Sequence, residues 1–172
     1  PLRSSAASDV YKRQDIINAN NEKCDIAFLP HRMLGVDIRL TSSDHQLVED
    51  LINEIVPRIK KYVYGYDNDK LEQVIADLLI KNNLTVSTAE SCTSGLLASR
   101  LTDVPGSSQY FKGGSVCYSN ELKINDIGID KDLIERHGAV SEEVAKSLAK
   151  NIAQKNNTDL GIGITGIAGP DG

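Results

Sequence analysis

From Leu84 onward the chain alternates between two kinds of segment, and this alternation constrains the fold more than any other feature. Leu84-Thr85-Val86-Ser87-Thr88 reads as a strand, and Thr93 to Leu101 as a helix stopped by Asp103-Val104-Pro105-Gly106. Ser115-Val116-Cys117-Tyr118 is a second strand. Asn120 to Ile127 and Lys131 to Arg136 are short helices, with Gly128 and Gly138 as stops. Ser141 to Asn156 is a longer helix, with Ser141 as N-cap, Glu142 and Glu143 in its first turn, and Val144, Leu148 and Ile152 on one face. Leu160 to Thr165, LGIGIT, is an apolar strand that contains glycine. Strands separated by helices imply a mainly parallel sheet covered on both sides, an α/β domain of three layers, α/β/α. Such sheets bind ligands in the loops after the carboxyl ends of their strands.

The preceding segment has a different character. Residues 15–66 hold a short apolar run from Ile26 and an alternating run, Gly35-Val36-Asp37-Ile38-Arg39-Leu40, that reads as a half-buried strand. Ser43 to Gln46 has capping-box spacing, S-x-x-Q, ahead of an apolar helix face through Leu47, Leu51, Ile55 and Ile59. Pro57 lies inside that pattern and is expected to kink or shorten the helix. Tyr62, Tyr64 and Tyr66 alternate in an extended piece, read as a strand face or domain seam. Together these residues form the remnant of a small α+β domain. Asp67-Asn68-Asp69 is a polar break, so the boundary is placed there and residues 67–172 are read as the second domain. Leu71, Val74, Ile75, Leu78 and Leu79 then fall on one helix face. Residues 1–14, PLRSSAASDVYKRQ, show no period, look foreign to the rest and are expected to be a disordered or non-native leader. The chain begins on Pro1 and stops at a turn-forming run, Gly169-Pro170-Asp171-Gly172, so it is read as truncated at both ends.

Composition excludes several function classes. The chain has 172 residues, of which 40% are hydrophobic and 25% charged, enough for a globular core. A net charge of −5 argues against direct contact with nucleic acid. No apolar run approaches the roughly 18 residues needed to cross a bilayer, so no membrane partner is expected. Cys24, Cys92 and Cys117 form no CxxC pair and read as reduced thiols in the cytoplasm. His31, His45 and His137 have no metal-ligand spacing, so neither metal nor cofactor is expected.

Three loops follow the three strands. The first, Ala89-Glu90-Ser91-Cys92-Thr93-Ser94-Gly95, places hydroxyls and a thiol at a helix start, where free N–H groups suit a phosphate or an oxyanion. The plain alternative is N-capping by Ser91 or Thr93. Ala89 stands where a G-x-S-x-G elbow needs glycine, and no Walker sequence occurs. The second loop runs from Tyr118 to Lys123. A partly desolvated lysine can act as a base, and Ser plus Lys is a known alternative to Ser plus His, although most helix lysines are simply solvated. The third loop, Thr165-Gly166-Ile167-Ala168-Gly169-Pro170-Asp171-Gly172, is either a close-approach ligand loop or a turn.

These motifs are not generic. TAESCTSGLLASRLTDVPGSSQYFKGGSVCYSNELK, then GAVSEEVAKSLA, then GIGITGIAGPDG, resemble the C-terminal domain of the CinA (competence/damage-inducible) family, which is similar to stand-alone nicotinamide-nucleotide amidases. IAFLP, GVDIRLT and YVYGYD resemble the KH-like segment that precedes that domain; the family's first, molybdopterin-binding-like module, linked to ADP-ribose pyrophosphatase activity, is not expected within these 172 residues. The resemblance implies hydrolysis of nicotinamide mononucleotide to nicotinate mononucleotide and ammonia. It implies Ser91, Tyr118 and Lys123 as the catalytic group. Glu90, Cys92, Thr93, Ser94, Gly95, Asn120, Thr165, Gly166 and Gly169 are the substrate-binding residues expected with it. Ser94 departs from the glycine common at its position. The family also continues past GPDG into elements with further site residues, including an arginine near the phosphate, so weak activity is expected of this chain alone. A homo-oligomer is expected of the full-length protein. The competing readings are a nucleotide-binding module without turnover, and an interaction protein of competence or DNA damage.

Overall fold

The computed structural model describes residues 2–4, 24–31 and 35–169. The chain divides into two compact units, Pro1–Val74 and Ile75–Gly172. The division falls inside a helix, Leu71–Lys81, a little beyond the Asp67–Asp69 break.

The first unit contains strands β1 (Leu2–Ser4), β2 (Asp25–His31), β3 (Gly35–Thr41) and β4 (Val63–Tyr66), with helix α1 (His45–Ile59) between β3 and β4. The sheet is antiparallel in the order β2-β3-β1-β4. Its core joins Cys24, Ile26 and Ile38 of the sheet side to Leu51, Ile55 and Ile59 of α1, the face that the helical spacing marks. The helix cap is Asp44 rather than Ser43: the Asp44 carboxylate accepts from Gln46 N at 3.0 Å and Leu47 N at 3.3 Å. Helix α1 continues through Pro57 and ends two residues later, at Ile59. The expectation that residues 1–14 lie outside the fold fails at Leu2–Ser4, which pairs with β3 on one side and β4 on the other. A three-residue strand is too short to show a period, and what holds it is backbone pairing. Residues 5–14 lie outside the described residues.

The second unit begins in helix α2 (Leu71–Lys81) and continues through β5 (Val86–Glu90), α3 (Leu96–Thr102), β6 (Phe111–Val116), α4 (Asn120–Asn125), α5 (Lys131–His137), α6 (Glu142–Asn156) and β7 (Leu160–Ile164). The three strands are parallel in the order β6-β5-β7, so β5 is central and all five of its residues are buried. Alternation along β5 sends Val86 to one face and Ala89 to the other. Val86 packs with Ala76 and Leu79 of α2, Leu101 of α3, and Tyr110. Ala89 packs with Ile127, Ile129, Ile134 of α5, and Val144, Leu148 and Ile152 of α6. The sheet is therefore covered on both faces. Ser141 caps α6, its hydroxyl accepting from Val144 N at 3.3 Å.

Strand β7 explains its own glycines. A Cβ on Gly161 would lie 1.9 Å from Ala149 O, and one on Gly163 would lie 2.3 Å from Ala145 O. Small residues on α6 meet glycines on β7, and the helix backbone rests directly on the strand.

Chain order places the site. From β5 the chain crosses by α3 to β6 on one side of β5. It then crosses by α4, α5 and α6, packed on the opposite face, to β7 on the other side of β5. The direction of winding reverses at β5. The loops leaving β5 and its neighbours therefore diverge and open a crevice outside the carboxyl end of the central strand.

Candidate active site

The three loops meet at this crevice. Because β5 is parallel to β6 and β7, the residues after Glu90, Val116 and Ile164 share one sheet edge. Hydrogen bonds tie them together: Ser91 N donates to Ile164 O at 3.0 Å, and Cys117 N donates to Glu90 O at 2.7 Å.

Ser91 continues the alternation of Ser87 and Ala89. Helix α4 brings Lys123 to it: Lys123 Nζ donates to Ser91 Oγ at 3.2 Å and to the Tyr118 carbonyl at 3.0 Å. Ser91 is 6% exposed and Lys123 2%. Lys123 is not the solvated helix lysine of the plain alternative, and it forms no ion pair among the described residues. Its position follows from a short helix with a firm start, where Ser119 Oγ accepts from Leu122 N at 3.2 Å and caps α4. Ser119 is a residue the sequence reading missed, although a serine ahead of Asn120-Glu121-Leu122 is an N-cap signal.

Tyr118 enters differently from what the resemblance implies. Its backbone carbonyl holds Lys123 Nζ, while the side chain is 62% exposed and makes no hydrogen bond among the described residues. The strand stops at Val116, so Tyr118 lies on the turn into α4, where its carbonyl points to the lysine.

Glu90 also departs from expectation. Its carboxylate is buried and turned into the start of α3, accepting from Gly95 N at 3.1 Å, Leu97 N at 3.0 Å and Ala98 N at 2.8 Å. Burial acts to raise the Glu90 pKa, but the Thr93 hydroxyl beside it and these three amides outweigh burial and hold it below the ordinary value. The Thr93 hydroxyl sits next to the carboxylate without meeting full hydrogen-bond geometry. Neither Ser91 nor Thr93 caps the helix, and the amides at its first turn are not free for a substrate anion. Glu90 is therefore not placed to bind substrate. The N–H groups of Cys92 and Thr93 carry no hydrogen bond among the described residues.

Ser94 and Gly95 both lie at positive φ, +50° and +92°. Glycine adopts this backbone freely, which fits the glycine that the resemblance expects at the Ser94 position. Gly95 spends its N–H on Glu90. Asn120 is exposed at the start of α4 and makes no hydrogen bond to Ser91 or Lys123. Thr165 donates its hydroxyl to Ala139 O at 2.7 Å, which fastens the third loop to the turn before α6. Gly166 lies against Cys92, since a Cβ there would be 3.0 Å from the thiol sulfur. Gly169 is exposed at φ +78°. Cys117 is fully buried, and burial pushes its thiol pKa up.

A parallel three-layer α/β domain with a buried Ser–Lys pair at its switch point is the class these observations define. The family model of the CinA C-terminal domain matches residues 68–172, and the chain belongs to the CinA family. A CinA-like protein of Dictyoglomus thermophilum is 47% identical over 127 residues, which cover 74% of this chain and 31% of that protein. A CinA-like protein of Chlorobium limicola is 40% identical over 177 residues, covering 99% of this chain and 41% of its own length. The chain thus spans less than half of these relatives. Among solved structures, the competence-damaged protein (CinA) superfamily protein from Escherichia coli is 34% identical with a TM-score of 0.57, over 63% of this chain and 64% of that one. No helix among the described residues is long and apolar enough to cross a membrane.

Proposed function

We propose that the second unit carries an amidohydrolase site, converting nicotinamide mononucleotide and water to nicotinate mononucleotide and ammonia. The observation that carries this reading is the Ser91 Oγ–Lys123 Nζ distance of 3.2 Å, within a buried pair at the sheet's switch point. A serine hydroxyl is a weak nucleophile until a base within hydrogen-bond reach takes its proton. Lys123 Nζ takes that proton while Ser91 Oγ attacks the carboxamide carbon. The lysine then returns the proton to the departing nitrogen, which leaves as ammonia, and Ser91 holds an acyl ester. Water, deprotonated by the same amine, hydrolyses the ester and restores the serine. The Tyr118 carbonyl keeps Nζ aimed at Oγ throughout. The Cys92 and Thr93 N–H groups are the available donors for the oxyanion, since those of α3 are taken by Glu90.

The same occupancy weighs against a passive nucleotide cradle, which would need those helix amides open. The test is ammonia release from nicotinamide mononucleotide. The full-length protein is expected to release it, this chain alone only weakly, and Ser91→Ala and Lys123→Ala are each expected to remove most of the rate. Release by Ser91→Ala at the unsubstituted rate would overturn the mechanism.

A further inference from the structure

We propose that Glu90 is a positioning residue for Ser91, a role that rests on the amidohydrolase reading of this site. Glu90 stands one peptide bond before the nucleophile and is fixed from both ends. Its backbone carbonyl accepts from Cys117 N at 2.7 Å, which ties it to the end of β6. Its carboxylate accepts from three amides at the start of α3. Gly95, at the N-cap position of α3, supplies no side-chain cap, so Glu90 provides from the strand what a local serine or aspartate would ordinarily provide. Between strand and helix, the turn from Ser91 to Gly95 takes two successive left-handed residues and closes through Ser94 N to Ser91 O at 3.0 Å. Such a turn has few local interactions that favour it. The carboxylate closes it from outside by bonding the amides beyond it, and so limits where Ser91 Oγ can stand relative to Lys123 Nζ. Charge-assisted bonds in a site shut off from water are stronger than neutral ones, which suits this task.

The role makes a specific kinetic demand. A residue that touches substrate shifts KM, and a residue that only stabilises the fold shifts the melting temperature. A residue that aims the nucleophile shifts kcat, because reactive geometry is lost while ground-state binding persists. Glu90→Gln keeps the shape but offers one acceptor oxygen to three donors. It is expected to lower kcat by about tenfold or more while KM stays within about twofold. An unchanged kcat with a lowered melting temperature would reduce Glu90 to a helix cap and overturn the proposal. A raised KM with kcat kept would make it a substrate contact and overturn it equally. If Glu90→Gln does not fold, Glu90→Asp, which keeps the charge but shortens its reach, is read by the same split. A second measurement separates this proposal from the function it rests on. The rate at which a fluorophosphonate labels Ser91 reports activation of the hydroxyl without any amide substrate. If the unsubstituted protein labels but releases no ammonia, the amidase reading fails while positioning is still tested. Labelling is expected to slow in Glu90→Gln, and equal labelling rates would overturn the role of Glu90.

Discussion

Lys123 is buried to 2% exposure with two neutral oxygens for partners, an arrangement that a chain selected for stability alone would not keep. Burying an amine away from water is costly, and an apolar side chain of similar volume escapes that cost. Lys123→Met is therefore expected to lose activity by about 10²–10⁴-fold, the usual contribution of a general base. Its melting temperature is expected to be equal to or above that of the unsubstituted protein, and calorimetry beside the ammonia assay checks both halves. Lys123→Arg is expected to fail as well, since a guanidinium keeps its proton at working pH. The double variant Ser91→Ala/Lys123→Ala is expected to be little worse than either single variant, because the two groups act as one unit. Tyr118→Phe retains the carbonyl that holds Nζ, and it is expected to cost less kcat than Lys123→Ala. Equal losses would return a catalytic role to the phenol.

At the scale of elements, the packing of α6 on β7 is the least forgiving contact. Gly163→Ala would set a methyl 2.3 Å from Ala145 O and 2.6 Å from Ala149 N, both backbone atoms of a helix that cannot yield locally. A loss of about 3 kcal/mol or more is expected, at or beyond the upper end of ordinary overpacking. The urea midpoint of Gly163→Ala against that of the unsubstituted protein measures it. The run LGIGIT is legible as a strand from its apolar character, but the reason for its glycines lies in α6 and requires the packed structure. The same division holds elsewhere. The periodic faces of α1 and α6 are legible, because burial imposes a period on sequence. Ser91 and Lys123 are legible through motif resemblance, and the parallel order places their loops on one edge. Leu2–Ser4 is not legible, because backbone pairing leaves no side-chain pattern. The bonds of Glu90 to the helix start are not legible, because a carboxylate beside a nucleophile looks the same in sequence whether it faces substrate or a helix start. The bond from Lys123 to the Tyr118 carbonyl is not legible, because a side-chain motif does not show what the backbone holds.

For the whole molecule, carboxylates held below their ordinary values, Glu90, Asp126 and Asp159 among them, give stability a defined pH dependence. Glu90 is held below the ordinary value although burial opposes this; Asp126 is held low by its bond to Lys155, and Asp159 by the Thr85 hydroxyl and amide. Each binds protons more weakly in the folded chain than in the unfolded one. Their contribution is complete above the ordinary carboxylate range and is lost as pH falls through the lowered folded values. The melting temperature is thus expected to be flat near neutrality and to fall on acidification, less steeply in Glu90→Gln. A parallel fall in both proteins would show that Glu90 is not one of the groups responsible. The central claim, however, is that Ser91 forms a bond to the substrate, and peptide mapping by mass spectrometry after acid quench of the protein turning over nicotinamide mononucleotide tests it most directly. An acyl ester of nicotinate mononucleotide is expected on the peptide containing Ser91, absent from Ser91→Ala. Ammonia release with no adduct on Ser91, or with the adduct on Cys92, would contradict it.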